Sequence, residues 1–275
     1  MPAINAIAPD KLFRLIGTAH CPYIIDVRTP GEGEPALIPS AERRPDREVE
    51  RWASEFAGRS AVVVCKGGGA RSHGVAAWLR TAGAAAEVLE GGAEAWAGLG
   101  YPRVPEAILP ARDDLGRTIW VTRSRPKVDR IACPWLIRRF VDRGALFLFV
   151  APAEVEEVAA RFGAAPFDVE GVFWSHRGEH CTFDAMVEEF GLAGFAALER
   201  LAPIVRGADT ARPELTPQSA GLLAASLGLS RIHGDDLEQL EAGLPIYDAF
   251  YRWCRDATDE THDWVSHTPR ARVRT

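Results

Sequence analysis

Residues 61–79 read AVVVCKGGGARSHGVAAWL. An unbroken apolar run bounded by turn residues is the pattern of a strand buried on both faces. The glycines Gly67, Gly68 and Gly69 then turn the chain. Val75, Ala76, Trp78 and Leu79 follow at helical spacing, so residues 72–82 are expected to form a helix that stops at Gly83. Cys65 therefore stands between the end of a strand and the start of a helix, where unpaired amides and the positive end of the helix dipole favour thiolate over thiol. Without a Cβ, the three glycines let their amides curl around an anion. Lys66, Ala70 and Arg71 complete the loop, and Arg71 adds a permanent charge with planar donors. Such a loop suits a thiolate, a persulfide anion or a tetrahedral oxyanion. The plainer alternative is a cysteine buried for packing alone.

Further short apolar runs flank this segment, at residues 23–27 (YIIDV) and 87–89, and Gly91–Gly92 lead into a helix through Trp96. Strands alternating with helices imply a parallel sheet covered on both faces. Gly100, Pro102, Pro105 and Pro110 then cluster, which sets a first domain at residues 1–105 and a linker at 106–117. Beyond it, residues 118–122 and 145–150 read as strands and 129–142 and 155–162 as helices. Ile131, Trp135, Leu136 and Phe140 form an apolar helical face, and Tyr251 and Trp253 read as core. From Thr182 the chain is mostly helical, with Thr216–Pro217 expected to open a helix that Gly228 ends. The expected fold is an α/β parallel sheet covered by helices, then a mainly helical α+β domain over 118–275.

Of the 275 residues 47% are hydrophobic, enough for real cores and too many for a disordered chain. A net charge of −6 and scattered basic residues argue against a nucleic-acid partner. The densest basic cluster, Arg270, Arg272 and Arg274, reads as a solvated tail. The five cysteines include no CxxC pair, which favours reduced thiols over a disulfide scaffold. Neither a signal peptide nor an apolar run of membrane-spanning length is visible, so a soluble, cytoplasmic protein without a membrane partner is expected.

Four motifs, in order, resemble the rhodanese family: Asp26-Val27-Arg28, Ile38-Pro39-Ser40-Ala41, the loop Cys65–Arg71, and a closing segment from Leu89 to Pro102 with Gly91, Gly92 and Trp96. The resemblance implies a rhodanese-like fold and a cysteine that takes sulfane sulfur from a donor such as thiosulfate. The resulting persulfide passes its sulfur to a thiophilic acceptor, and no cofactor is required. Cys65 inherits that role, and Asp26 and Arg28 that of bracing the loop. From Cys65 to Arg71 the loop holds seven residues. That is one more than in ordinary single-domain rhodaneses and resembles rhodanese-fold phosphatases and arsenate reductases. A phosphatase also needs an acid for its leaving group, which the loop lacks.

Residues 118–264 resemble the C-terminal domain of the chromate-resistance ChrB family, through WVTRSRPKVDRIACPWLIRRF, PFDVEGVFWSHRGEHCTFDAMVEEFGL, LAPIVRGADT and YDAFYRWCRD. This implies a link to chromate or oxyanion stress. The stretch Ser175–Asp184, SHRGEHCTFD, gathers imidazoles, a thiol and carboxylates at a turn before a helix. His176, Cys181, Asp184 and the later Asp209 could form a mixed site for a divalent metal, zinc or iron. Equally, Thr182 or Ser175 could cap a helix with His176 as a structural histidine. Asp129 and Arg130 open a helix, and Arg138-Arg139 read as its solvated face rather than an anion contact.

Three functions follow. The first is a sulfurtransferase that uses a small donor and a thiophilic acceptor. The second is a regulator that binds an oxyanion without turnover. The third is a cysteine-based oxyanion reductase or phosphatase.

Overall fold

A computed structural model of the chain describes residues 5–260; the basic tail with Arg270, Arg272 and Arg274 lies outside them. The first half contains β1 (Ala6–Ile7), α1 (Pro9–Phe13), β2 (Tyr23–Asp26), β3 (Ala36–Leu37), β4 (Ala41–Arg43), α2 (Val49–Trp52), β5 (Ser60–Val64), α3 (Ala70–Thr81), β6 (Ala85–Leu89), α4 (Gly92–Gly98) and β7 (Val104–Pro105). Five strands form one sheet in the order β1-β6-β5-β2-β4, every pairing parallel. Successive residues point to opposite faces of a strand. Accordingly Val63 and Cys65 pack with Ile25, Val75, Ala76 and Leu79 under α2 and α3, whereas Val62 and Val64 pack with Ile24, Leu89 and Trp96 on the other face. Trp78 departs from the expected helical face and is 45% exposed. Trp78 directly precedes Leu79 and is rotated about 100° from it, on the flank of the buried stripe formed by Val75, Ala76 and Leu79.

The second half begins with β8 (Ile119–Arg123), α5 (Asp129–Phe140), β9 (Leu146–Val150), α6 (Val155–Phe162) and β10 (Ala165–Pro166). Its parallel sheet has the order β10-β8-β9. Trp120 of the central strand packs with Ile131, Trp135 and the other buried residues of α5. Its neighbour Val121 packs on the opposite face with Val155 and Val158 of α6. The chain thus leaves β8 on one side and returns as β10 on the other. A crevice opens at the carboxyl ends of strands where the winding reverses, the usual place for a ligand in such sheets.

Among the described residues, this half continues with α7 (Thr182–Glu189), α8 (Ala196–Asp209), α9 (Ser219–Ile232) and α10 (Asp236–Asp256). Helix α9 starts after the expected Thr216–Pro217 cap; the Thr216 hydroxyl instead bonds Ser219 Oγ at 2.8 Å, and Gly228 lies within the helix. Arg138 and Arg139 are not a solvated face. They donate to Glu241 and Asp248 of α10, at 2.6 Å and 2.7–2.8 Å. Tyr251 is buried and Trp253 packs at the edge of the core.

The two halves share a core. Phe13 stacks on Tyr101 (4.5 Å between centroids) and on Phe195 (4.7 Å), and Phe195 meets Phe140 edge-on at 5.2 Å. The connecting segment is attached along its length: Glu106 accepts two bonds from Arg43, and Ile108 and Leu109 pack against the shared core. Among the described residues no helix is long and apolar enough to cross a membrane.

Candidate functional site

The thiol of Cys65 lies at the carboxyl end of β5, directly before the loop that starts α3, and the residue is 6% exposed. Burial pushes its thiol up, but the Ser72 hydroxyl and the amides of Ser72, Gly69 and Gly68 outweigh burial and hold it below the ordinary thiol range. Cys65 Sγ lies 3.1 Å from Ser72 Oγ, which is also 2.9 Å from the Gly69 carbonyl; the single hydroxyl proton goes to the carbonyl beside a Cys65 thiol and turns to the sulfur of a thiolate. Sequence reasoning missed Ser72, although its place in the first turn of the helix is a usable signal.

The closing motif fixes the shape of this loop. The amides of Ala93 and Glu94, in the first turn of α4, donate to the carbonyls of Cys65 and Lys66 at 2.9 and 3.0 Å. Gly92 sits at φ +59°, and a Cβ there would fall 2.3 Å from the Cys65 carbonyl and 2.6 Å from the Gly68 amide. Gly68, at φ +70°, faces the Gly91 amide and Leu89 carbonyl so closely that a Cβ would come within 2.9 Å of each. Two glycine-bearing turns press backbone to backbone, a contact that only residues without side chains allow.

Arg71 is engaged on its outer side. It forms an ion pair with Glu32, approaches Asp46 at 3.4 Å and donates to the Val27 carbonyl at 3.3 Å. The hydrogen bonds to Arg71 hold the Glu32 carboxyl down to about 2. The loop amides, rather than a free guanidinium, therefore supply most of the anion stabilisation. Lys66 leans towards Glu94 at 3.6 Å. A cavity of about 200 Å³ beside the loop is lined by Arg28, Glu32, Lys66, Glu94, Trp96 and Arg103, among others.

Asp26 and Arg28 are buried at 0% and 6% exposure, at the end of β2 beside β5. Arg28 Nη2 donates to Asp26 Oδ2 at 2.6 Å and to the Ala36 carbonyl at 2.8 Å. The Val27 amide donates to the Val64 carbonyl at 2.8 Å, tying this pair to the residue before Cys65.

A second constellation occupies the crevice of the three-stranded sheet. His176 Nε2 lies 3.2 Å from Asp209 Oδ2, 3.4 Å from Asp168 Oδ1 and 3.8 Å from Asp129 Oδ2. Hydrogen bonding to Asp168 and Asp209 raises His176 to about 10. Burial pushes the Asp129 carboxyl well above its ordinary range, and the charges of Asp209 and Asp168 push it further. The expected set of His176, Cys181, Asp184 and Asp209 is corrected here: His176 and Asp209 meet, but Cys181 and Asp184 do not join them. Asp184 accepts a bond from the Cys181 amide at 3.0 Å and two from Arg206 at 2.8 Å, so helix capping and an ion pair engage it. Cys181 is fully buried, and burial raises its thiol far above the ordinary range. Asp129, the first residue of α5, and Asp168, just beyond β10, take their places. The signal for Asp129 was its position, an acidic residue opening the helix after a strand.

The rhodanese-like domain model matches residues 8–99, and the ChrB C-terminal domain model matches residues 120–254. A sulfurtransferase from Allochromatium vinosum is 32% identical over 103 residues, covering 37% of this chain and 95% of that protein. The chain belongs to the rhodanese-like family through its first half, and its second half is a ChrB C-terminal domain. Protein ChrB from Cupriavidus metallidurans is 32% identical over 156 residues, 55% of this chain, and the chain spans 46% of that protein's length. A solved rhodanese-related protein from Thermoplasma volcanium is 27% identical over 37% of this chain and 98% of its own, with a TM-score of 0.33.

Proposed function

We propose that the chain is a sulfurtransferase working through a persulfide on Cys65. One observation carries this reading: the amides of Gly68, Gly69 and Ser72 and the Ser72 hydroxyl all favour the anionic form of the Cys65 sulfur. The Cys65 thiolate attacks the outer sulfur of a donor such as thiosulfate. The donor S–S bond breaks, sulfite leaves with the electron pair, and Cys65 carries a persulfide anion inside the same ring of donors. A thiophilic acceptor, cyanide or a thiolate, then attacks the terminal sulfur and the Cys65 thiolate is regenerated. No outside oxidant, reductant or cofactor enters the balance. The relation to ChrB supports a part in chromate or oxyanion stress.

The seven-residue loop favours a second reading, hydrolysis or reduction of an oxyanion at the same cysteine. That chemistry needs a proton donor for the leaving group. The carboxylates beside the loop are paired instead, Glu32 and Asp46 with Arg71 and Glu94 with Lys66. The test is incubation with thiosulfate and cyanide, and separately with a phosphate ester and no sulfur donor. Thiocyanate formation without phosphate release supports the first reading; the converse supports the second.

A further inference from the structure

We propose that Asp129, His176 and Asp209 hold a divalent transition-metal ion at the mouth of the second sheet's crevice, with manganese(II) or iron(II) the fitting class. The site is independent of Cys65. One ligand atom from each of the three residues lies within 4.8 Å of the others. A single ion with bonds of about 2.1–2.4 Å spans that separation after small side-chain shifts.

Proximity of acids alone would not carry this. Asp129 is 0% exposed; its Oδ2 accepts the Phe183 amide at 3.1 Å, but Oδ1 has no hydrogen-bond partner. A buried carboxylate oxygen without a partner is costly and asks for a ligand. The backbone that delivers it is itself forced. Val128, a β-branched residue, sits at φ +35°, ψ −98°. It is clamped from two helices, its amide donating to Ser226 Oγ at 2.9 Å and its carbonyl accepting the Tyr247 hydroxyl at 3.0 Å. Strained backbone held from outside concentrates at functional sites.

Charge and access agree. Three carboxylates, Asp129, Asp168 and Asp209, face two guanidiniums, Arg123 and Arg130, both near Asp168 at 3.5 and 3.3 Å. With a neutral imidazole the group carries one net negative charge. A divalent ion turns this positive, which suits an anionic co-ligand. Asp168 also accepts the Thr182 hydroxyl at 2.9 Å and pairs with Arg130 at 3.3 Å, so its oxygens are already engaged and it is not counted among the ligands. His176 is 41% exposed on its side chain and lines, with Arg123, Asp168 and Ser175, a cleft of about 520 Å³. An ion held by three protein groups keeps coordination positions open to that cleft. Carboxylate donors suit manganese and imidazole suits iron, and several open positions fit their six-coordinate shells better than zinc's usual four.

The experiment titrates the full chain with Mn2+, reading free ion by electron paramagnetic resonance and imidazole coordination by nitrogen modulation of the bound signal. The expected result is one bound Mn2+ per chain with nitrogen coupling. His176→Ala should abolish the coupling, and both it and Asp209→Asn should weaken binding by about tenfold or more. His180→Ala, an exposed histidine of the same turn, should bind as the parent does. No stoichiometric binding, bound Mn2+ without nitrogen coupling, or unchanged affinity in His176→Ala would overturn the proposal and leave the cluster an imidazolium shared among carboxylates.

Discussion

Cys65 Sγ and Ser72 Oγ lie 3.1 Å apart, one at the end of β5 and the other in the first turn of α3. The loop between them folds its amides inward, and the thiol is held below the ordinary range against the opposing pull of burial. The alkylation rate of Cys65 should therefore rise through an inflection below the free-thiol value of about 8.5. Ser72→Ala removes a donor to the anion and should move the inflection upward. An inflection at or above the free-thiol value in the parent protein would contradict the anion-stabilising loop.

Gly92→Ala should disable the loop while Gly69→Ala should leave it nearly intact. At Gly92 a Cβ meets the Cys65 carbonyl at 2.3 Å and the φ is +59°, whereas at Gly69 it meets nothing within 4 Å. The left-handed backbone alone costs about 1–2 kcal/mol for a residue with a side chain. Displacing the loop by ~1 Å should cut sulfur transfer by about a hundredfold. Thiocyanate assays and thermal melts of both variants check the contrast.

Breaking the buried ion pair from one side should be costly. Asp26→Ala strands Arg28, 6% exposed, beside an apolar strand, and about 3–5 kcal/mol of destabilisation is expected in denaturant unfolding. Replacing both residues by apolar ones of similar volume should cost less, because no charge is then left unpaired.

The shared core predicts that the two halves unfold together. Phe140 is 0% exposed and touches Phe195, Tyr251 and Trp135, and a Cβ at Gly17 would strike its ring. Phe140→Ala should cost about 3–5 kcal/mol and lower one common calorimetric transition. Two separated transitions, with only the later half shifted, would show that the core is not continuous in solution.

What could be read from sequence followed how local each feature is. The Cys65 loop, its strand and its helix are contiguous, so composition and order suffice; β2, β5 and β6 lie within a residue or two of the expected strands, while the short β1 and β4 carry too few residues for a pattern and were not anticipated. Trp78 was misplaced because an apolar residue on the flank of the buried stripe still fits a loose helical pattern. Arg71 carries the right charge for an anion, but Glu32 lies 39 residues away and its grip is a tertiary fact. The second constellation draws on four separate segments. Residue chemistry within one turn found His176, while Cys181 and Asp184, its neighbours in sequence, are turned away by the start of α7. Asp129 and Asp168 come from the ends of two strands that only the reversed winding brings together.

The most direct test of the sulfur-transfer account is intact mass measurement of the full chain after thiosulfate treatment, followed by peptide mapping. The account predicts a gain of one sulfur atom, located on Cys65, lost on adding cyanide, and absent in Cys65→Ser with its fold preserved. Unchanged mass in the parent protein, or the added sulfur on Cys21, Cys133, Cys181 or Cys254, would contradict it.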